Sequence, residues 1–224
     1  LTLEVGGAWP RSLPGQFVHL QLGDGLQPFL RRPFSLLGDR PAPGGGAILS
    51  IMYAVIGQGT ERLAAMTTGT RLDLLGPLGN GFLPAAHESW ILVAGGRGAA
   101  PLFRVLESLA DPDAAANGGR PDLHFLFGAR NREHLWGLDR LEGVTHRLAT
   151  DDGSHGVHGT VVDLLRATLE QPLRSPVVLA CGPEAMLAAI ARVADQAGVP
   201  AQVSLESVMG CGCGLCRGCV VPRR

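Results

Sequence analysis

Apolar residues in the first third of the chain come in short stretches, Gln16 to Leu22, Ala47 to Val55 and Arg71 to Leu75, cut by turns rich in glycine and proline. That texture predicts the short strands of a small antiparallel barrel. One helical piece, Thr60 to Met66, interrupts it, and the character changes around Pro84 to Ser89. From Trp90 onward, strand-like runs (Trp90–Ala94, Leu123–Phe127, Val144–Ala149, Val177–Cys181 and Gln202–Leu205) alternate with helical segments near Ala100–Ala110, Thr160–Leu169 and Glu184–Ala197. This βαβ rhythm predicts a doubly wound parallel sheet. Asp111 to Pro121 reads as a flexible surface loop. The expected organisation is an antiparallel Greek-key barrel over 1–86, a Rossmann-like domain over 87–206, and a cysteine-rich segment over 207–224.

Bulk properties narrow the function without deciding it. With 224 residues and 46% apolar composition, two ordinary domains can each bury a core. Lys plus Arg (19) nearly balance Asp plus Glu (20), so the basic excess of a nucleic-acid binder is missing. No apolar stretch reaches the roughly 20 residues of a membrane span. Four of the five cysteines crowd into 211–219. Disulfide frameworks spread their cysteines and metal sites cluster them, which favours a reducing, cytoplasmic setting.

The cysteine segment carries the most chemistry. Cys211, Cys216 and Cys219 stand at C-x4-C-x2-C, the spacing plant-type [2Fe–2S] proteins use for three of their ligands. Zinc is the competing reading, but zinc knuckles supply two paired units and only one C-x2-C pair is present. Upstream, Arg31-Arg32-Pro33-Phe34-Ser35 offers a cation for a pyrophosphate and a hydroxyl for a flavin edge; the plain alternative is a polar edge strand. After Met52-Tyr53-Ala54, Gly59-Thr60 opens a helix, either as a phosphate site or with Thr60 as a simple N-cap. Gly76 to Phe82 (GPLGNGF) is a tight loop, either a bare turn or a cofactor contact.

Two more junctions lie on the expected ligand edge of the parallel sheet. Gly95-Gly96-Arg97-Gly98 follows a strand and opens a helix, the context in which glycines admit a nucleotide pyrophosphate, although the full G-x-G-x-x-G fingerprint is absent. Cys181-Gly182-Pro183 occupies an equivalent position, as a nicotinamide neighbour or as an inert buried thiol. Thr150 to Ser154 reads as a solvated turn, and Arg130 as a loop residue or a partner for a 2′-phosphate.

In register along nearly the whole chain, these blocks resemble the electron-transfer subunits of the type B dihydroorotate dehydrogenases, within the ferredoxin reductase superfamily. RRPFSL is similar to that family's RRPIS strand, VIGQGT to its GxGT turn, and GGRGAAPL to GGIGVAPL. GPLGNGF, TDDGSHG and CGPEAML match further family segments, and ESVMGCGCGLCRGC resembles ERMACGIGACYGC. The resemblance implies a flavin-binding barrel, an NAD-binding domain and a [2Fe–2S] tail. It implies FAD contacts at Arg32, Pro33, Phe34, Ser35, Met52, Tyr53, Ala54, Gly59 and Thr60, and cluster ligands at Cys211, Cys216 and Cys219. With the strand–helix junctions it places NAD at Gly95, Gly96, Gly98, Cys181, Gly182 and Pro183. It implies an FMN-containing, dihydroorotate-oxidising catalytic partner in a heterotetramer, and no side chain acting as a catalytic acid or base.

The chain departs from the family pattern in four places. The family's fourth cluster cysteine lies further on than this sequence runs, so either the segment is truncated or the cluster is incomplete. Cys213 stands where the family has an apolar residue, Ala54 where an arginine is common, and Val208 where an arginine precedes the cluster loop. The alternatives are another superfamily member, such as an NAD(P)H-linked ferredoxin oxidoreductase or hydrogenase diaphorase subunit, and a zinc-stabilised interaction module without enzymatic activity.

Overall fold

The computed structural model describes residues 1–23, 27–83, 87–109 and 121–221. Two compact units emerge, one made of Leu1–Gly81 with Ser207–Arg224, the other of Phe82–Glu206.

The first unit is built on an antiparallel sheet of β1 (Thr2–Val5), β2 (Phe17–Leu20), β3 (Arg32–Pro41), β4 (Ala47–Ile51) and β5 (Leu74–Leu78), in the order β1-β4-β3-β2-β5. It curls as a half-barrel, with irregular register between Leu36 and Gly38 and between Phe17 and His19. Its core takes alternate residues, Val18 and Leu20 from β2, Phe34 and Leu36 from β3, Leu49 and Ile51 from β4. That is the period of 2 expected when one sheet face is buried. Helix α1 (Gln58–Ala65) adds Leu63 to the same core.

The second unit is a six-stranded parallel sheet of β6 (Ser89–Gly95), β7 (Asp122–Ala129), β8 (Thr145–Thr150), β9 (Val157–His158), β10 (Pro176–Cys181) and β11 (Ala201–Ser204), in the order β11-β10-β6-β7-β8-β9. Helices α2 (Ala99–Leu109), α3 (Val161–Leu169) and α4 (Glu184–Gln196) are its crossovers. Central strands read as unbroken apolar runs because both faces are covered: Ile91 to Ala94 and Val177 to Ala180 are all fully buried. Phe103 of α2 stacks on Phe125 of β7 at 5.2 Å and meets Trp136 edge-on at 5.2 Å. Side-chain amide bonds from Gln202 to Leu83 N–H (2.8 Å) and Leu83 C=O (2.9 Å) fasten the unit's first residues to β11.

The strands expected from sequence are present with shifted ends. The one at Arg71–Leu75 lies three residues later, because Gly76 and Pro77 continue the strand instead of ending it. The helix expected at Thr60 begins at Gln58, so Gly57 and not Thr60 is its N-cap. Strands β1 and β9 go beyond the pattern reading. Except for Pro121, the loop at 111–121 lies outside the described residues, as do 84–86 at the expected change of character.

Candidate functional site

In the first unit, β3 and the start of α1 bring two distant motifs together. Arg31 is engaged elsewhere, its guanidinium donating to the Asp73 carboxylate at 2.9 Å and to the Asp73 carbonyl at 3.1 Å. Arg32 instead lies across Gly59: a Cβ there would stand 3.4 Å from Arg32 Cγ and 3.5 Å from Nε. Its Nη1 is oriented by the Leu30 carbonyl at 2.6 Å. The first-turn N–H groups of α1 have no acceptor within the helix, so a cation and a helix N-terminus converge on one spot. This fits a pyrophosphate. Thr60 contributes structure there: its hydroxyl accepts from the N–H groups of Ile56 (2.9 Å) and Gly57 (3.2 Å) and donates to the Gly57 carbonyl (3.0 Å).

Further along β3, Phe34 points into the core and meets Tyr53 edge-on at 6.1 Å, which orients the Met52–Ala54 stretch after β4. Pro33 and Ser35 fall on the opposite sheet face, paired with His19 and Phe17 of β2. Gly79 of the GPLGNGF loop packs on Phe17, and Gln16 Nε2 donates to the Gly79 carbonyl at 2.7 Å. That loop therefore borders the face bearing Ser35.

The cysteine segment packs in this same unit. Cys211, Cys216 and Cys219 are joined by a turn in which Cys216 N–H donates to Cys211 Sγ at 3.4 Å. Hydrogen bonds from the Cys216 and Cys213 N–H groups, with help from the Cys216 thiol, bring the Cys211 thiol down to about 6. A metal-ligating sulfur needs that thiolate character. Among the described residues no three His, Cys, Asp or Glu side chains already converge on one point, so loading requires the cysteine side chains to turn inward. The N–H-rich, glycine-punctuated loop and its thiolate fit an iron–sulfur cluster.

Sequence reasoning missed His19. It is 0% exposed although it points away from the barrel core, and neither ring nitrogen has a hydrogen-bond partner among the described residues. Gly212, with φ +69°, sits directly on the ring: a Cβ would come within 2.7 Å of Cε1, 2.9 Å of Nε2 and 3.1 Å of Nδ1. Burial, and then the nearby Arg31 charge, lower the His19 pKa, which favours the neutral ring. A lone histidine among the apolar residues of FVHLQL was the available signal.

In the second unit, the turns after β6 and β10 interlock at the C-terminal edge of the sheet, where ligands bind in open α/β folds. Gly98 lies so close to the next turn that a Cβ would overlap the Cys181 carbonyl and come within 2.7 Å of Gly182 N. Gly95 is packed against Met186 and Pro183, a Cβ there reaching Pro183 Cδ at 3.0 Å. At Gly96, by contrast, nothing lies within 4 Å of a Cβ position, leaving that side of the turn open. Trp136 Nε1 anchors the turn by donating to the Gly96 carbonyl at 3.1 Å. The result is a rigid glycine turn with one open side, which fits a dinucleotide.

Cys181 beside it is buried, and burial pushes its thiol up to about 12, so it is an inert neighbour and not a nucleophile. In the Thr150–Ser154 turn, Asp152 is satisfied internally by the Ser154 N–H (2.9 Å) and hydroxyl (2.6 Å), which lower its pKa.

The oxidoreductase NAD-binding domain family matches residues 92–192. The electron transfer subunit of dihydroorotate dehydrogenase B (NAD(+)) from Desulforamulus reducens is 36% identical over 94% of this chain and 77% of its own length. That of Bacillus caldolyticus is 37% identical over 92% and 76%. Among solved structures, an NADH-dependent reduced ferredoxin-NADP oxidoreductase, studied for flavin-based electron bifurcation, superposes with a TM-score of 0.71 at 25% identity, over 93% of this chain and 71% of the other. The ferredoxin reductase in carbazole 1,9a-dioxygenase shares the fold, with a TM-score of 0.67 at 21% identity over 87% and 60%. The chain belongs to the family of NAD+-linked dihydroorotate dehydrogenase B electron-transfer subunits, ferredoxin-reductase-like oxidoreductase components that work with FAD, a [2Fe–2S] cluster and NAD.

Proposed function

We propose that this chain accepts electrons from an FMN-containing, dihydroorotate-oxidising partner subunit and delivers them to NAD+ by way of a [2Fe–2S] cluster and FAD, in pyrimidine biosynthesis. One observation carries this reading: the cysteine loop folds back onto β2, the strand paired with the flavin strand β3. Gly212 rests on His19, whose β-sheet neighbour is Pro33, two residues from Ser35. A cluster loop and a flavin-edge strand within one compact unit are what short-range electron transfer requires.

Bound FAD and [2Fe–2S] supply the conversion between single-electron and hydride chemistry, and the protein supplies binding and orientation. Arg32 and the first turn of α1 would hold the pyrophosphate and Ser35 would donate to the flavin edge, with Pro33, Met52, Tyr53 and Ala54 lining the strand and its neighbour and Phe34 anchoring that strand from the core side. Cys211, Cys216 and Cys219 hold the cluster. Gly95, Gly96 and Gly98 admit NAD, with Cys181, Gly182 and Pro183 bracing the turn. No side chain is needed as a general acid or base. In functional terms the domains run 1–86 for FAD, 87–206 for NAD and 207–224 for the cluster.

The apolar side chains of Val208, Leu215, Val220 and Val221 are exposed around the cysteines. Such a rim suits a catalytic partner docked at the cluster, as in a heterotetramer. Among the described residues no helix is long and apolar enough to cross a membrane, which accords with a cytoplasmic complex.

The test is co-expression of the full-length protein with a dihydroorotate-oxidising FMN subunit. Co-purification and dihydroorotate-dependent reduction of NAD+ support the reading. Exclusive co-purification with a hydrogenase or glutamate-synthase-like subunit would overturn it in favour of another member of the superfamily.

A further inference from the structure

The β2 strand FVHLQL directs Val18, Leu20 and Leu22 into the barrel core, and His19 to the opposite face. On an open sheet face a histidine is normally wet and hydrogen-bonded to solvent. Here the ring is fully buried with Gly212 of the cysteine loop against it, and neither nitrogen has a partner among the described residues. Phe17 lies on one side at 5.5 Å between ring centroids, and Pro33 and Leu75 are its cross-strand neighbours. None of these supplies a hydrogen-bonding side chain. The ring edge that carries Nδ1, Cε1 and Nε2 faces Gly212, between Cys211 and Cys213.

Buried polar atoms are rarely left orphaned, because their desolvation goes uncompensated. A neutral imidazole offers one N–H and one lone pair. The sulfurs of an iron–sulfur cluster are acceptors, and hydrogen bonds to them stabilise the reduced, more negative state and raise its potential.

We propose that His19 is a positioning residue for the [2Fe–2S] loop: its buried edge seats Gly212, and its N–H serves the cluster sulfurs held by Cys211, Cys216 and Cys219. The inference rests on the assignment of those cysteines as cluster ligands. It also gives Gly212 two duties, a left-handed backbone and close approach to the ring, either of which a side chain would break.

The test uses the full-length, cluster-loaded protein. In the unsubstituted protein, pulsed EPR of the reduced cluster should show a weak nitrogen coupling that changes on labelling with ¹⁵N-histidine. His19→Leu should keep iron and sulfide, lose that coupling, and shift the midpoint potential to more negative values. His19→Gln, which retains N–H donors, should recover most of the shift. An unchanged potential and coupling in an iron-replete His19→Leu protein would overturn the inference. So would a strongly coupled histidine nitrogen, which marks direct ligation to iron. Absence of iron from the unsubstituted protein would instead overturn the cluster assignment itself, and this inference with it.

Discussion

Two glycine turns open helices in this molecule, one at α1 and one before α2, and they use the missing side chain differently. At Gly59 the space is taken by a side chain from another strand, Arg32, lying at ordinary contact distance. At Gly98 it is taken by backbone, the Cys181–Gly182 peptide. The first turn can therefore tolerate change at the cost of ligand binding, because an arginine can move. The second cannot, because a peptide in β10 is fixed by its ladder to β6 and β11. A phosphate-binding turn that carries its own cation is separable from the fold, whereas one built from interlocked backbone is part of it.

Gly98→Ala should be the most damaging substitution. It should destabilise the parallel-sheet unit by about 3 kcal/mol, as forced backbone displacement in a packed core does, and abolish NADH binding; thermal melts and nucleotide titration read both. Replacement of Cys216 by serine should remove the iron while leaving flavin and melting temperature largely intact, which iron and flavin analysis of one preparation establishes. Arg32→Gln should weaken FAD retention by roughly 10- to 100-fold, the loss of one charge-assisted contact of about 1.5–3 kcal/mol, with an unchanged melt. If it instead unfolds the barrel unit, the two turns are not different in kind.

In iron-free protein at neutral pH, Cys211 should alkylate first, since its N–H donors hold the thiol at about 6, and Cys181 last, since burial holds it near 12. Peptide mapping after a timed pulse of iodoacetamide reads the order. Thr160→Ala should cost about 1 kcal/mol, because the Thr160 hydroxyl and the Asp163 carboxylate cap α3 reciprocally. The Asp163 pKa is lowered, chiefly by the Thr160 hydroxyl. Its contribution is therefore fully present above the unfolded carboxylate value and is lost as pH falls below it, a difference visible in acid melts of the variant and the parent.

The parallel sheet was legible because strands buried on both faces must be continuous apolar runs, and WILVAG and PVVLAC admit little else. The half-barrel was less so. β1 (TLEV) is short and half-exposed, and Gly76-Pro77 looks like the end of a strand that it in fact continues. The site followed the same division. Glycine turns and cysteine spacing are local, so they can be read directly. The closure of Arg32 over Gly59 joins two motifs that the sequence shows only separately. His19 stood out only as a lone histidine in an apolar strand; its meaning lies in a turn at the far end of the chain, and no local pattern distinguishes a sealed histidine from a wet one.

Anaerobic titration of the full-length protein with NADH, followed by visible absorbance and EPR together with iron, sulfide, zinc and flavin analysis, tests the electron-transfer assignment most directly. The expected result is about two irons and one flavin per chain, bleaching of the flavin band, and the signal of a reduced [2Fe–2S] cluster in the same sample. A colourless, zinc-containing protein, or a flavin that NADH reduces with no iron present, would contradict it.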